Sequence, residues 1–428
     1  MLIKRATLLD GRRVDIRVAD RIGEVAETLT QRPGEEVFDA AGMTVLPGLH
    51  DHHVHIHSAA ATSGSVRVGP GVVADRTELG RALQAAAPGD DGWIRGIDYH
   101  EAAAGELDRR TLDQIAPRVP VRIQHRTGVL WMVNSAGLRE LGLADHPDGR
   151  LRSADPTWST DRRELRLGDW SRRLLEYGVT GITDATPDLD PGDLDTPRGS
   201  GELVQRVHTL APGKRILHDD ALDLDELADW IRARHALDTP VAVHCVTAAQ
   251  LVVTLAALRI AGGHARDRIE HAAIVPDDCV ADLAQAGVTV VTQPNFVAER
   301  GDRYLVEVPA GEHDELWRVA TLLEAGVPVA LSTDTPFGHG DPWAAMRAAV
   351  HRRTPGGAVL GPAERITAAA ALTMFTGSGD RPAAPRTVGP GEPGDLLLLT
   401  APPGEVLAEL DAELVTATVV AGAVVHHI

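Results

Sequence analysis

Two histidines two residues apart, His53 and His55, follow the apolar run Thr44-Val45-Leu46 in the segment Pro47-Gly48-Leu49-His50-Asp51-His52-His53-Val54-His55. On an extended strand such residues point to one face, so their imidazoles can grip one cation side by side. The chemistry this suggests is metal binding. A hydrolytic metal site would need neutral imidazoles or carboxylates as ligands, an open position for water and a base to handle the water's proton. His50, His52 and His57 crowd the same stretch. A His-rich tract by itself also describes a solvated loop or an adventitious metal binder, so the remainder of the chain has to decide.

Further candidates recur at the ends of apolar runs. His244 ends Val241-Ala242-Val243, His271 ends Arg268-Ile269-Glu270, and Asp334 follows Leu331-Ser332-Thr333. Each alone has a plainer explanation. His244 reads as a satisfied core histidine, His271 as a surface residue beside a salt-bridging Glu270, and Asp334 before Thr335-Pro336 as a turn initiator. Five such residues at successive strand ends make coincidence a poor explanation.

The elements that must hold them are legible as a pattern. Val179-Thr180-Gly181-Ile182-Thr183-Asp184, Val241 to His244, Arg268 to His271, Val288 to Val291 and Val327 to Leu331 alternate with helical stretches. Near-continuous apolar strands in repeated βα units predict an α/β protein with a parallel sheet covered on both faces, most simply a TIM-type (β/α)8 barrel, whose active sites form at the carboxyl ends of its strands. Both chain ends read as short strands: Asp10-Gly11 offers a hairpin turn before Val14, Ile16 and Val18, and Asp395 to Leu399, Val415 to Val420 and Val424-Val425 close the chain. The expected organisation is a small β-sandwich built from residues 1–48 and 385–428, with the barrel over 49–384. Residues from about 62 to 160 exceed what one βα loop needs and predict an inserted subdomain after the first barrel strand. Gly92-Trp93-Ile94-Arg95-Gly96, Arg110-Thr111-Leu112-Asp113 and Trp131-Met132-Val133-Asn134-Ser135 mark its ordered parts, with Trp93 and Trp131 as packing residues.

At this point the chain resembles the metal-dependent amidohydrolase superfamily, through Pro-Gly-Leu-x-Asp-x-His-x-His, the order of His-x-His, lysine, His, His and Asp, and Val388-Gly389-Pro390-Gly391-Glu392-Pro393-Gly394-Asp395-Leu396. The segments around Trp93 and Trp131 look like the branch that includes N-substituted formamide deformylase. The resemblance implies that His53, His55 and Asp334 hold one divalent cation, usually zinc, that His244 and His271 hold or face a second, and that Asp334 moves the proton from the attacking water to the leaving group. One or two ions per chain are implied, bridged in binuclear members by a carboxylated lysine on the fourth strand. Lys214 in Pro212-Gly213-Lys214-Arg215-Ile216-Leu217 is the match. It must lose its charge to react with carbon dioxide, which requires burial or nearby cations, whereas Arg215 and His218-Asp219-Asp220 give this strand a more polar look. Two departures stand out. Gly128-Val129 replaces a Gly-His common in relatives, with His125 slightly upstream, and His244-Cys245-Val246-Thr247 lacks the His-x-x-Glu of superfamily deaminases.

For the substrate, the loop after the seventh strand offers Arg300, Arg303 and Tyr304, which suit a carboxylate or polar head group, and His339 and Trp343 follow Asp334. Surface ion pairing and packing are the plainer alternatives. The leading expectation is hydrolysis of an amide-like C–N bond in a small molecule. Deamination, or hydrolysis of a cyclic imine, amidine, lactam or lactone at the same metal, is the second reading, and a non-catalytic metal-binding scaffold the third.

Composition bounds the partners. A net charge of -19 over 428 residues argues against nucleic acid and anionic membranes, which need a cationic face. The pairs Arg162-Arg163 and Arg172-Arg173 read as solvated helix surface. Cys245 and Cys279, the two cysteines, cannot build a disulfide framework, and no secretory leader or membrane-length apolar run is visible. A cytoplasmic enzyme is expected, and the family resemblance makes a homodimer plausible.

Overall fold

The computed structural model describes residues 1–63, 65–70, 72–89, 91–116, 118–152 and 167–428. The chain divides into two compact units, Met1–Ile56 with Leu167–Ile428, and His57–Arg166. Arg162-Arg163 lies outside the described residues.

In the first unit the two chain ends meet in one eight-stranded sheet. Thr44–Pro47 pairs antiparallel with Leu396–Leu399, setting Val45 against Leu398. The alternation seen in Val14, Ile16 and Val18 places those side chains in an apolar core with Ile3, Ala6, Val45, Leu396, Leu398 and Val419. Asp10-Gly11 makes the predicted turn, with Gly11 at φ +88° and its amide donating to the Leu8 carbonyl. Asp15 breaks the pattern by being buried. Its carboxylate accepts from the amides of Arg5 and Leu29, and burial is tolerated because both oxygens are satisfied.

The remaining strands of this unit are parallel and form two ladders. One has three strands, Leu49–Val54, Val179–Asp184 and Arg206–Thr209. The other has five, Lys214–Ile216, Ala242–Cys245, Arg268–His271, Thr289–Thr292 and Val329–Leu331. Their apolar residues are buried almost throughout, as strands covered on both faces require. Gly181 is needed where the first two strands approach, because a Cβ there would lie 2.4 Å from His50 Nδ1. Helices Leu224–His235, Ala248–Ala261 and Pro342–His351 follow strands and are capped by Asp223, Thr247 and Asp341, each accepting a first-turn amide.

The regular βα alternation fails once. Residues 210–213, not a helix, join Arg206–Thr209 to Lys214–Ile216, and no strand pair links these two among the described residues. At the other seam the chain is stitched end to end: Val54 bridges Thr335, the Asp334 amide donates to the His53 carbonyl, and the His55 amide donates to the Thr335 carbonyl.

The second unit carries its own five-stranded sheet, in the order Arg150–Arg152, Leu130–Val133, Val121–His125, Ile94–Tyr99, Val66–Arg67. Leu79, Leu83, Ile94, Leu112, Ile123 and Met132 form its main core, while Trp93 packs with Val133, Leu138 and Leu151. Among the described residues no helix is long and apolar enough to cross a membrane.

Candidate metal centre

The strand Leu49–Val54 is buried at every position, so the histidine tract is not a solvated loop. His50 and His52 stack at 4.6 Å between ring centroids, and His50 Nε2 meets Thr183 Oγ1 at 2.8 Å. Both lie in the interior, His52 with neither ring nitrogen hydrogen-bonded among the described residues. His53 and His55, two residues apart, project together toward Asp334: Nε2 of each lies 3.5 and 3.4 Å from Asp334 Oδ1. The three ligand atoms converge within 4.8 Å of one another. A cation with bonds of about 2.0–2.1 Å places neighbouring ligand atoms roughly 3.3 Å apart, so this spacing fits one.

The donor set itself argues for a cation. His53 Nε2 and Asp334 Oδ1 are buried and have no hydrogen-bond partner among the described residues. Buried polar atoms of this kind are rare unless something else satisfies them. The opposite nitrogen of His53 is held by Glu270, with Nδ1 2.5 Å from Oε2. Glu270 is fully buried and is itself gripped by Arg268, whose Nε is 2.7 Å from Oε1 and whose Nη2 also donates to the His52 carbonyl. A carboxylate taking the Nδ1 proton fixes the tautomer and leaves the Nε2 lone pair facing Asp334.

His271 is set in the same way. Its Nδ1 is 2.8 Å from Gln293 Oε1, and Gln293 spends its amide donor on Ser332 Oγ at 2.8 Å. That leaves Nε2 as the nitrogen able to ligate. The ring stands 4.7 Å from that of His53 and 4.4 Å from that of His244, centroid to centroid. Three of these positions carry uncommon backbone: His271 at φ +72°, Ala272 at +46° and Asp334 at +57°. Left-handed non-glycine residues concentrate where side chains must be aimed against local preference.

Lys214 resolves the ambiguity about its strand by simple alternation. Arg215 turns outward to pair with Glu226, while Lys214 is buried with its Nζ unpartnered among the described residues. Burial pushes its ammonium down to about 8, partly opposed by the charges of Glu270 and Asp334. Lys214 pairs with Ala242 and Ile216 with His244, so the lysine starts two residues below the His244 level. Burial, then the Lys214 charge, lowers His244 to about 3, and burial holds His53 and His271 far below the ordinary histidine range. All three are neutral near pH 7, the form that ligates.

Three buried groups here were not singled out by motif. Glu270 and Gln293 orient the imidazoles, and Asp51 accepts from the Thr333 amide at 3.0 Å and its hydroxyl at 2.5 Å, fixing the turn that presents Asp334. The alternation of Arg268 and Glu270 on one strand face was the available signal. Burial, with Asp334 adding to it, raises the Asp51 carboxyl to about 7.

The expected substrate residues fall in several places. Arg300 donates to the Phe337 carbonyl and lies 4.3 Å over the Phe296 ring, and Phe337 packs edge-on against His55 at 5.1 Å while 38% exposed. Tyr304 joins Trp317 and Phe296 in an apolar cluster. The His339 amide donates to Glu299. Arg303 pairs with Glu307 one turn on, the surface alternative. Trp343 is fully buried, its Nε1 donating to the Tyr177 carbonyl. His125 belongs to the second unit, beside Glu101. Thr247, where deaminases have glutamate, caps a helix.

The amidohydrolase family profile matches residues 36–426. N-substituted formamide deformylase of Arthrobacter pascens is 26% identical over 466 residues, covering 87% of this chain and 84% of its own. An uncharacterized metal-dependent hydrolase of Pyrococcus horikoshii superposes with TM-score 0.76 at 19% identity, covering 94% of this chain and 97% of its own. Atrazine chlorohydrolase TrzN of Arthrobacter aurescens, solved with zinc, superposes with TM-score 0.51 at 15% identity, covering all of this chain and 95% of its own.

Proposed function

The chain belongs to the amidohydrolase family, and from that premise we propose that it hydrolyses an amide-like C–N bond of a small molecule at a divalent-metal centre. One observation carries the reading: His53 Nε2, His55 Nε2 and Asp334 Oδ1 converge, and the two buried atoms of that set, His53 Nε2 and Asp334 Oδ1, have no partner among the described residues. His53, His55 and Asp334 would hold one ion, for which zinc is the first choice. His244, His271 and a carboxylated Lys214 would hold a second. In this reading the two parallel ladders are one barrel opened at residues 210–213.

When bound, the cation supplies Lewis-acid activation of water and of the scissile carbonyl. The chain supplies the rest. Asp334 accepts the proton of the attacking water and delivers it to the departing nitrogen, a role suited to a carboxylate fixed at the strand end. Glu270 and Gln293 keep the ring protons of His53 and His271 on Nδ1. The neutral amine of buried Lys214 is the form that reacts with carbon dioxide.

The test is to strip the protein with a chelator, restore zinc, and follow amine release from a panel of N-substituted formamides, the class named by the Arthrobacter relative. Restored activity with one or two ions per chain, lost in Asp334→Asn while metal is retained, supports the reading. Metal-independent turnover, or no cation bound after reconstitution, overturns it.

A further inference from the structure

A second group of ligating side chains lies wholly within the second unit. His100 and Glu101 follow the strand Ile94–Tyr99, and His125 ends the adjacent parallel strand Val121–His125. One ligand atom from each comes within 4.8 Å of the others. Glu101 Oε2 is 3.2 Å from His125 Nε2 and 4.0 Å from His100 Nε2.

The backbone is shaped to bring them together. Gly96 pairs with Ile123 but Tyr99 with His125, so Ile97 and Asp98 oppose the single residue Gln124. This bulge, with Asp98 at φ +65°, advances the strand end by one residue and sets the His100 ring 5.6 Å from that of His125. The strand ends are pinned on both sides. Buried Tyr99 donates its hydroxyl to the Gly105 carbonyl, the Arg126 amide donates to the Tyr99 carbonyl, and the Gly128 amide donates to the His125 carbonyl.

We propose that His125 Nε2, the Glu101 carboxylate and His100 Nε2 form a site for one divalent transition-metal cation of the zinc or cobalt type. Two imidazoles and a carboxylate suit such ions rather than magnesium or calcium, which take oxygen ligands. Both imidazoles accept a backbone amide at Nδ1, His125 from Thr127 at 3.3 Å, so each must give up that contact to turn a lone pair on Nε2 toward a cation. His125 is the better prepared because its amide contact is the longer and Thr127 Oγ1, 2.9 Å from Nδ1, can accept a proton there. His100 is less prepared, because its Nδ1 accepts the Ala102 amide at 3.1 Å and must release that cap to turn its lone pair on Nε2 toward a cation. The three ligands therefore rank, with His125 and Glu101 ahead of His100.

Cobalt(II), whose visible spectrum reports imidazole ligation, is titrated into chelator-treated full-length protein, and bound metal is counted after desalting. The wild type should hold one more ion per chain than His125→Ala. Glu101→Gln should weaken that ion by roughly tenfold or more, the least expected of a direct ligand when outer partners alone are worth that much, and His100→Gln by less. Should His125→Ala not fold, Glu101→Gln decides. Equal counts and superimposable titrations for wild type, His125→Ala and Glu101→Gln overturn the site. The outcome is independent of the Asp334 centre, which His55→Ala scores in the same titration.

Discussion

The centre around Asp334 and the cluster around Glu101 use the same ligand chemistry in opposite settings. In the first, the carboxylate that orients an imidazole, Glu270, is separate from the one that converges with His53 and His55, Asp334, and both are buried. In the second, Glu101 alone lies against both rings and is 37% exposed. The difference is preorganisation. A buried centre meets the cost of desolvation during folding, through the Arg268–Glu270–His53 chain, and keeps unpaired ligand atoms ready. A half-exposed cluster keeps water as an alternative partner, and both His100 and His125 would have to release a backbone amide from Nδ1 before a cation is fully held.

The strongest way to break the comparison is Asp334→Asn, which should lower turnover by about 10²–10⁴-fold, the usual worth of a positioned acid–base group, with the fold intact; steady-state kinetics beside circular dichroism reads this. Next comes Glu270→Gln. It leaves Arg268 charged and buried, so a loss of about 3–5 kcal/mol is expected in denaturant unfolding, with roughly 10–100-fold weaker metal binding. The matching change in the other unit, Glu101→Gln, should alter stability by no more than about 1 kcal/mol, as for exposed ion pairs. Equal stability losses in the two would show that burial is not what separates the sites.

Two pH effects are smaller. Lys214 is lowered from 10.5 to about 8 in the folded chain, so the unfolded chain binds the extra proton between these values. Metal-free protein should gain stability as pH rises through that window, and Lys214→Met should flatten the gain. Asp51 is raised from 3.8 to about 7, so its contribution runs the other way. Stability should fall as pH rises from about 4 to 7, and Asp51→Asn should remove that slope.

His53, His55, His244, His271 and Asp334 were legible as strand-end candidates in the amino-acid sequence because strand periodicity and the polar ends of apolar runs are local properties. The strand character of both chain ends was legible for the same reason, and the structure joins those ends in one sheet. Lys214 was readable only in part. Its polar neighbours suggested a surface strand, and the alternation that sends Arg215 outward and Lys214 inward depends on which face is covered. The irregular link at residues 210–213 left only a turn signal, Pro212-Gly213, which does not by itself say that no helix intervenes.

What the sequence by itself determined is the list of candidate ligands and the strands that end in them. Tertiary structure alone decided how those side chains are oriented. Glu270 reaches His53 across 217 residues, and Asp51 reaches Thr333 across 282. The bulge at Asp98 turns two ordinary histidines into neighbours. The physical reason is that ligand identity is a property of a side chain, whereas tautomer, burial and convergence are properties of the partners that folding places around it.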